Sequence, residues 1–237
     1  MAENTIAGHF SDHFKELRKR VLISFCAIII FTIVAYIFSR PITQFFMKPL
    51  FAAHPDLAGL VYTNLPEAFI AYLKVAVLVG LCGSFPVLCY QLWMFVGPGL
   101  RKAERTVALN VVFWATLLFV CGVVFAFFIV LPEALAFFMG FAGKDLEAMP
   151  KLDSYLTFIA RTCLAFGLSF EIPFLMVAAR RTGLVTREYF TNNRWVFYLA
   201  ILVMSFLLTA GDLFSAFLLA IPLFGLYEAG ILVMLIL

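Results

Sequence analysis

The sequence predicts an all-α, polytopic membrane protein with six transmembrane helices, and three observations carry that reading. Of its 237 residues, 64% are hydrophobic and 13% charged, whereas a soluble domain runs about 45–50% apolar and about 25% charged. A water-soluble chain of this length has no core able to hide that excess. Soluble enzymes, nucleic-acid binders and disordered proteins are therefore excluded, and lipid is the solvent. Six segments are long and apolar enough to span: 21–39, 68–96, 106–132, 154–179, 195–210 and 213–237. None shows the ten-residue apolar/polar alternation of a barrel strand. Backbone groups in hydrocarbon must bond within their own segment, so the spans are helices. The whole chain, 1–237, reads as one integral membrane domain.

The elements follow in order. Residues 1–20 form an amphipathic helix, because Phe10, Phe14, Leu17 and Val21 recur at spacings of four, three and four. These residues contain no short apolar run followed by a small-residue cleavage site, so the first span is expected to be retained. Between spans one and two, residues 40–67 contain Pro41, Pro49 and Pro55 around Phe45-Phe46-Met47, which predicts a small cap helix. Asn64, Pro66 and Glu67 are start signals for the second span, and Asp153 and Ser154 for the fourth. Gly97-Pro98-Gly99 forces a turn before the third span, whose end is set by Pro132. Pro86, Pro173 and Pro222 lie inside spans and each removes a backbone hydrogen bond. The segment 195–210 reaches only about 24 Å, against a hydrocarbon core of about 30 Å. With Gly211 and Asp212 it forms a tight hairpin into the last span, and local bilayer thinning is the expected consequence. The sequence stops at Leu237, still apolar, and a cytoplasmic tail is expected beyond it. No G-x-x-x-G occurs. The five cysteines all sit in apolar stretches and read as small hydrophobes.

Orientation follows from Lys and Arg. Eleven of the seventeen fall in the N-terminal segment, the loop after the second span and the loop after the fourth. Four fall on the opposite side: Arg40, Lys48, Lys144 and Lys151. Both termini are expected in the cytoplasm.

Few residues can carry chemistry. Glu16 stands among Lys15, Arg18, Lys19 and Arg20. The basic residues suit lipid headgroups, as in an interfacial anchor. The carboxylate does not, and suits a cationic partner. Glu104 sits in the first turn of the third span, where the helix dipole favours an anion. It reads either as a helix cap or as a second carboxylate on the membrane face of Glu16. Two such carboxylates can clasp a pair of guanidinium groups, and bidentate geometry separates Arg from Lys. Inside the membrane lie Lys74, Arg161, Glu171 and Glu228, and ionisable residues at such depth default to function. Lys74 and Arg161 are near the outer ends of their spans, and pairing with Asp212 or Glu133 is one reading of them. Glu171 precedes Pro173, which frees a carbonyl and invites a water-lined concavity. His9, His13 and His54 lie outside the spans, and no H-E-x-x-H, G-x-S-x-G or Walker A run is present. No enzyme, metal or cofactor is expected.

These residues carry a resemblance. His13-Phe14-Lys15-Glu16-Leu17-Arg18-Lys19-Arg20 resembles the H-L-x-E-L-R-x-R start of the TatC family, the receptor subunit of the twin-arginine protein translocase. Further matches follow in order: Lys48-Pro49-Leu50, the stretch from Phe85 to Phe95, Glu104-Arg105, the stretch from Ala165 to Pro173, the stretch from Leu208 to Ser215, Ala220-Ile221-Pro222 and Tyr227-Glu228. The resemblance covers nearly the whole chain. It implies six helices in a curved, cupped wall with the last two short, in a bacterial inner membrane. It implies binding of twin-arginine signal peptides at positions matching Glu16 and Glu104, with Arg18, Arg105 and Phe95 beside them. It makes Pro49, Glu171 and Asp212 functionally important, and it implies docking of TatA- and TatB-type single-span partners at Thr209 and Ser215. A homo-oligomeric receptor complex that exports folded proteins on the proton-motive force completes the implied picture. The chain departs from the family pattern at Ala103, where a histidine is frequent, and at Ala216, where a glutamine is common.

A competing reading is a proton-coupled secondary transporter of a small solute, using Glu171 or Glu228. It requires inverted repeats around a midplane site, and residues 1–105 and 106–237 show no convincing repeat.

Overall fold

The computed structural model describes residues 2–53, 57, 59–62, 64, 66–96, 105–140, 149–181, 183, 185–208 and 213–236. Side chains are described from Phe14 onward, except at 53, 96, 105–108, 208, 214, 215, 218 and 236. Apart from one isolated bridge, all regular structure among these residues is helical. The helices are α1 (Ala2–Ile37), α2 (Ser39–Ala53), α3 (Glu67–Val96), α4 (Arg105–Phe125), α5 (Leu131–Gly140), α6 (Leu152–Ser169), α7 (Glu171–Arg181), α8 (Arg187–Asn192), α9 (Arg194–Leu208) and α10 (Leu213–Ile236). Four stretches are long and apolar enough to cross a bilayer: Phe14–Ile37, Glu67–Phe95, Leu109–Gly140 and Leu152–Arg181. Arg194–Leu207 and Leu219–Leu235 are shorter apolar helices. The chain groups into two compact units, 1–39 with 76–117, and 40–75 with 118–237.

In the first unit, the expected amphipathic segment and first span are one continuous helix of 36 residues. Its rise of about 54 Å exceeds the hydrocarbon core, so one end projects from the membrane. Most of its apolar side chains, Phe25, Ile30 and Ile33 among them, are exposed within the chain and suit lipid. One face meets α3 closely. A Cβ on Gly80 would stand 2.8 Å from the Thr32 backbone, and one on Gly83 would stand 2.7 Å from the Phe31 ring. Small residues at such crossings let backbones approach where lipid supplies no hydrophobic drive between helices.

In the second unit, the predicted cap helix exists as α2. Pro49 sits inside it, so the carbonyl of Phe45 lacks its usual N–H partner. One residue on, the Phe46 carbonyl accepts a hydrogen bond from Tyr155 Oη at 2.7 Å. Phe45 and Phe46 pack on Phe127 with ring centroids 4.9 and 5.5 Å away. The start signal of α3 is realised: the Asn64 backbone N–H donates to Glu67 Oε2 at 3.2 Å. Val61 and Lys151 form a parallel bridge, with Val61 N donating to Pro150 O and Leu152 N to Val61 O. The segments leading into α3 and α6 are thus tied together.

Two expectations are corrected and one is met. Pro132 does not end the third span. The helix widens into a π-helical segment, Ala126–Val130, and continues as α5 to Gly140. The wider turn absorbs the missing N–H of the proline without breaking the rod. The start signal of α6 is met: the helix begins at Leu152 with Asp153 in its first turn, while Lys151 occupies the N-cap without a side-chain cap bond. Lys74 does not pair with Glu133; it pairs with Asp153, its Nζ lying 2.6 and 2.8 Å from the carboxylate oxygens and 3.0 Å from Thr157 Oγ1. Seventy-nine residues separate the pair, which places it beyond any local sequence rule. Asp212 lies outside the described residues.

Lys74 and Asp153 are 38% and 31% exposed, so each retains partial solvation. A double-mutant cycle of Lys74→Ala and Asp153→Ala is expected to give a coupling energy of about 1 kcal/mol. Unfolding midpoints of the four proteins check it, and simple additivity would contradict the pairing.

Candidate functional site

Glu16 lies two residues into the described side chains of α1 and is 37% exposed. Arg20 stands four residues on, the spacing that brings side chains together on a helix. Its Nε donates to Glu16 Oε1 at 3.1 Å, and Nη2 bonds the same oxygen. Its Nη1 donates to Gln91 Oε1 of α3 at 3.3 Å. Arg20 is only 17% exposed, so it serves as an internal brace between the helices. The carboxylate is thereby fixed in direction while both bonds from Arg20 load a single oxygen. Arg18, on the same helix, is exposed. Phe95 is the last described side chain of α3 and is half-buried. Arg20 and Gln91 are the residues sequence reasoning missed as a brace. The i,i+4 acid–base rule would have found the first; the second requires the α1–α3 pairing.

The other expected peptide-site residues are placed as follows. Glu104 lies outside the described residues. Arg105 opens α4, and its side chain lies outside the described set. Thr209 and Asp212 also lie outside it, and Ser215 is described only as part of α10. Pro49 is buried within α2.

Glu171 opens α7 directly after the helix breaks at Phe170. Pro173 explains the break, since it cannot donate to the Ser169 carbonyl. Glu171 is 8% exposed, and its Oε1 has no hydrogen-bond partner among the described residues. Its position depends on a close crossing of α4 and α6. A Cβ on Gly122 would stand 2.6 Å from the Phe166 carbonyl oxygen and 3.0 Å from Gly167 Cα, and a Cβ on Gly167 would stand 2.7 Å from the Phe119 ring. The missing G-x-x-x-G motif therefore understated the role of glycine. One glycine on each helix does the same work within the chain.

Glu228 is engaged rather than poised. Arg194 Nη2 lies 3.2 Å from its Oε2, and Tyr198 Oη donates to its Oε1 at 2.5 Å. Tyr227, fully buried beside it, donates to the Phe190 carbonyl at 2.8 Å. Together these bonds tie α8, α9 and α10. Gly230 lets α10 meet α7 at Pro173 and Met176, and Arg180 of α7 donates to the Met234 carbonyl in the last turn of α10. At the start of α8, Glu188 is held below the usual carboxylate range by its own backbone N–H and by the Thr186 hydroxyl. Among the described residues no group of His, Cys, Asp and Glu could hold a metal ion.

Comparison with known proteins places this arrangement. Residues 12–222 match the family described as Sec-independent protein translocase protein (TatC). The TatC protein of Desulforapulum autotrophicum is 39% identical over 223 residues, 94% of this chain and 83% of that protein. The TatC protein of Escherichia coli K12 is 33% identical over 219 residues, 92% of this chain and 85% of its own length. A crystal structure described as the twin-arginine translocase receptor TatC superimposes with a TM-score of 0.85 at 31% identity, covering 94% of this chain and 98% of that one. A second, of the same receptor in DDM, gives 0.84 at 32% identity, covering 93% and 98%. With the family matched over most of the chain and the all-helical membrane fold in common, the chain belongs to the TatC family and is a subunit of the Sec-independent protein translocase.

Proposed function

We propose that this chain is the receptor that binds twin-arginine signal peptides at the cytoplasmic face of a bacterial inner membrane. Both termini face the cytoplasm, and six helices span, the last two short. Glu16 and Glu104 take the paired guanidinium groups. Arg20 orients Glu16, Arg18 and Arg105 stand beside the carboxylates in the binding site, and Phe95 gives the peptide an apolar contact. TatA- and TatB-type single-span proteins dock near Thr209 and Ser215. A homo-oligomer of this chain with those partners exports folded proteins on the proton-motive force. The chain acts by binding and positioning, without bond chemistry.

The observation that supports this reading most is the Arg20–Gln91 brace on Glu16. A carboxylate held in one direction beforehand loses little freedom on meeting a ligand, and preorganisation of that kind favours affinity. A planar guanidinium makes two parallel bonds to a carboxylate, whereas an ammonium acts as a point charge. The test is a titration of the reconstituted chain with a labelled twin-arginine peptide and its twin-lysine counterpart. Binding of the first at least tenfold tighter supports the proposal; equal binding overturns it. The transporter reading loses one of its two proton carriers, because Glu228 is ion-paired with Arg194.

A further inference from the structure

On α6, Asp153, Thr157 and Arg161 recur every fourth residue and form one winding stripe. The first two are occupied by Lys74 of α3. Arg161 is exposed and makes no hydrogen bond or ion pair among the described residues. Its guanidinium stays charged in any protein setting, and a charge at membrane depth requires an anion or water. None of the described acids of this unit is ion-paired with it. Asp153 is held by Lys74, Glu228 by Arg194 and Tyr198, Glu67 by the Asn64 backbone N–H and Glu188 by its own backbone N–H and the Thr186 hydroxyl; Glu171 is buried, and Glu133, exposed on α5, makes no ion pair with Arg161. Its charge is thus open to a counter-charge from outside the chain.

Depth decides what it is. Arg161 lies nine residues after Leu152, a rise of about 13 Å from the start of α6. The Cα–Cβ bonds of a helix tilt toward its N-terminus, and a long Arg side chain recovers much of that distance by reaching back toward the interface. The stripe of Thr157, Lys74 and Asp153 supplies a polar path along the way. A carboxylate from a partner helix would have to be desolvated at that depth to meet Arg161, whereas a lipid phosphate already sits at the interface. We propose that Arg161 binds the phosphate of a phospholipid from the leaflet at the N-terminal end of α6, drawing its headgroup down along the stripe. In the orientation proposed above this is the outer leaflet. The site does not depend on signal-peptide recognition.

The test is native mass spectrometry of the full chain purified alone in the presence of phosphatidylglycerol, on the folded fraction from size exclusion. Arg161→Leu is expected to lose one retained phospholipid per chain, Arg161→Lys to keep it at reduced occupancy, and Ser154→Ala to keep it fully. Equal unfolding midpoints of Arg161→Leu and the parent in lipid-free detergent separate loss of lipid from loss of fold. Unchanged retention in Arg161→Leu overturns the proposal. In a parallel purification of the chain with its membrane partners, retention of the lipid with loss of a co-purifying single-span protein from Arg161→Leu overturns it too, by assigning the guanidinium to a partner carboxylate.

Discussion

Replacing Glu16 and Glu104 together by alanine is expected to abolish the preference for a twin-arginine over a twin-lysine peptide and to weaken binding on the order of 100-fold. Loss of a desolvated charged contact costs about 2–5 kcal/mol, and less at an exposed rim. Glu16 is 37% exposed, which puts its contact just below that range, at about 1.5 kcal/mol, and Glu104 is taken as its equal. Two such losses amount to about 3 kcal/mol, or roughly two decades in Kd. Removing the Glu16 carboxylate also strands Arg20, which keeps only its bond to Gln91. The variants Glu16→Gln and Glu104→Gln therefore belong in the experiment. They retain side-chain volume and remove the charge, so a packing effect separates from a recognition effect. Calorimetric or fluorescence titration in detergent or nanodiscs reads the result. Unchanged affinity in the double variant would remove both residues from the site.

The second large effect is structural. Gly122→Val is expected to prevent accumulation of folded chain, and Gly122→Ala to lower its unfolding midpoint clearly. The obstacle at Gly122 is the Phe166 carbonyl oxygen at 2.6 Å and Gly167 Cα at 3.0 Å. Backbone atoms of a packed helix cannot rotate away, so the helices must separate. Overpacking typically costs about 1–3 kcal/mol, occasionally more, and here it also withdraws α4 from the helix break that carries Glu171. Gly225 is the matched control, because an added Cβ there meets nothing within 4 Å. Gly225→Ala is expected to be neutral or slightly stabilising, since alanine is the better helix former. Thermal unfolding followed by size exclusion compares the variants. Equal midpoints for Gly122→Ala and Gly225→Ala would contradict the crossing.

Legibility in the sequence followed the range of the interaction. The α2 helix and the start of α3 were readable because a turn or a cap is a matter of three or four residues, as the bond from Asn64 to Glu67 illustrates. Glu16 was readable as an anomaly, a carboxylate among four cations. What it bonds was only half readable, because Arg20 is local and Gln91 is not. Lys74 with Asp153 and Glu228 with Arg194 were legible only as charges in need of partners. Their partners are chosen by helix packing 79 and 34 residues away. Pro132 misled because proline removes a bond without dictating how the helix responds, and here it responds with a π-helical turn. The Gly122–Gly167 crossing escaped motif reading because its two glycines stand on different helices.

The central claim is that the face carrying Glu16 and Glu104 receives the arginine pair of a signal peptide. Site-specific crosslinking tests it most directly, with a photoreactive residue placed next to each glutamate, at Lys15 and Ala103, and a third at Tyr62, in the outer loop of the proposed orientation, as a reference. A twin-arginine peptide labelled at its arginine pair is expected to crosslink at Lys15 and Ala103, to fail at Tyr62, and to lose the first two adducts when its arginines become lysines. Adducts at Tyr62 with none at Lys15 and Ala103, or adducts indifferent to the arginine pair, would contradict the account.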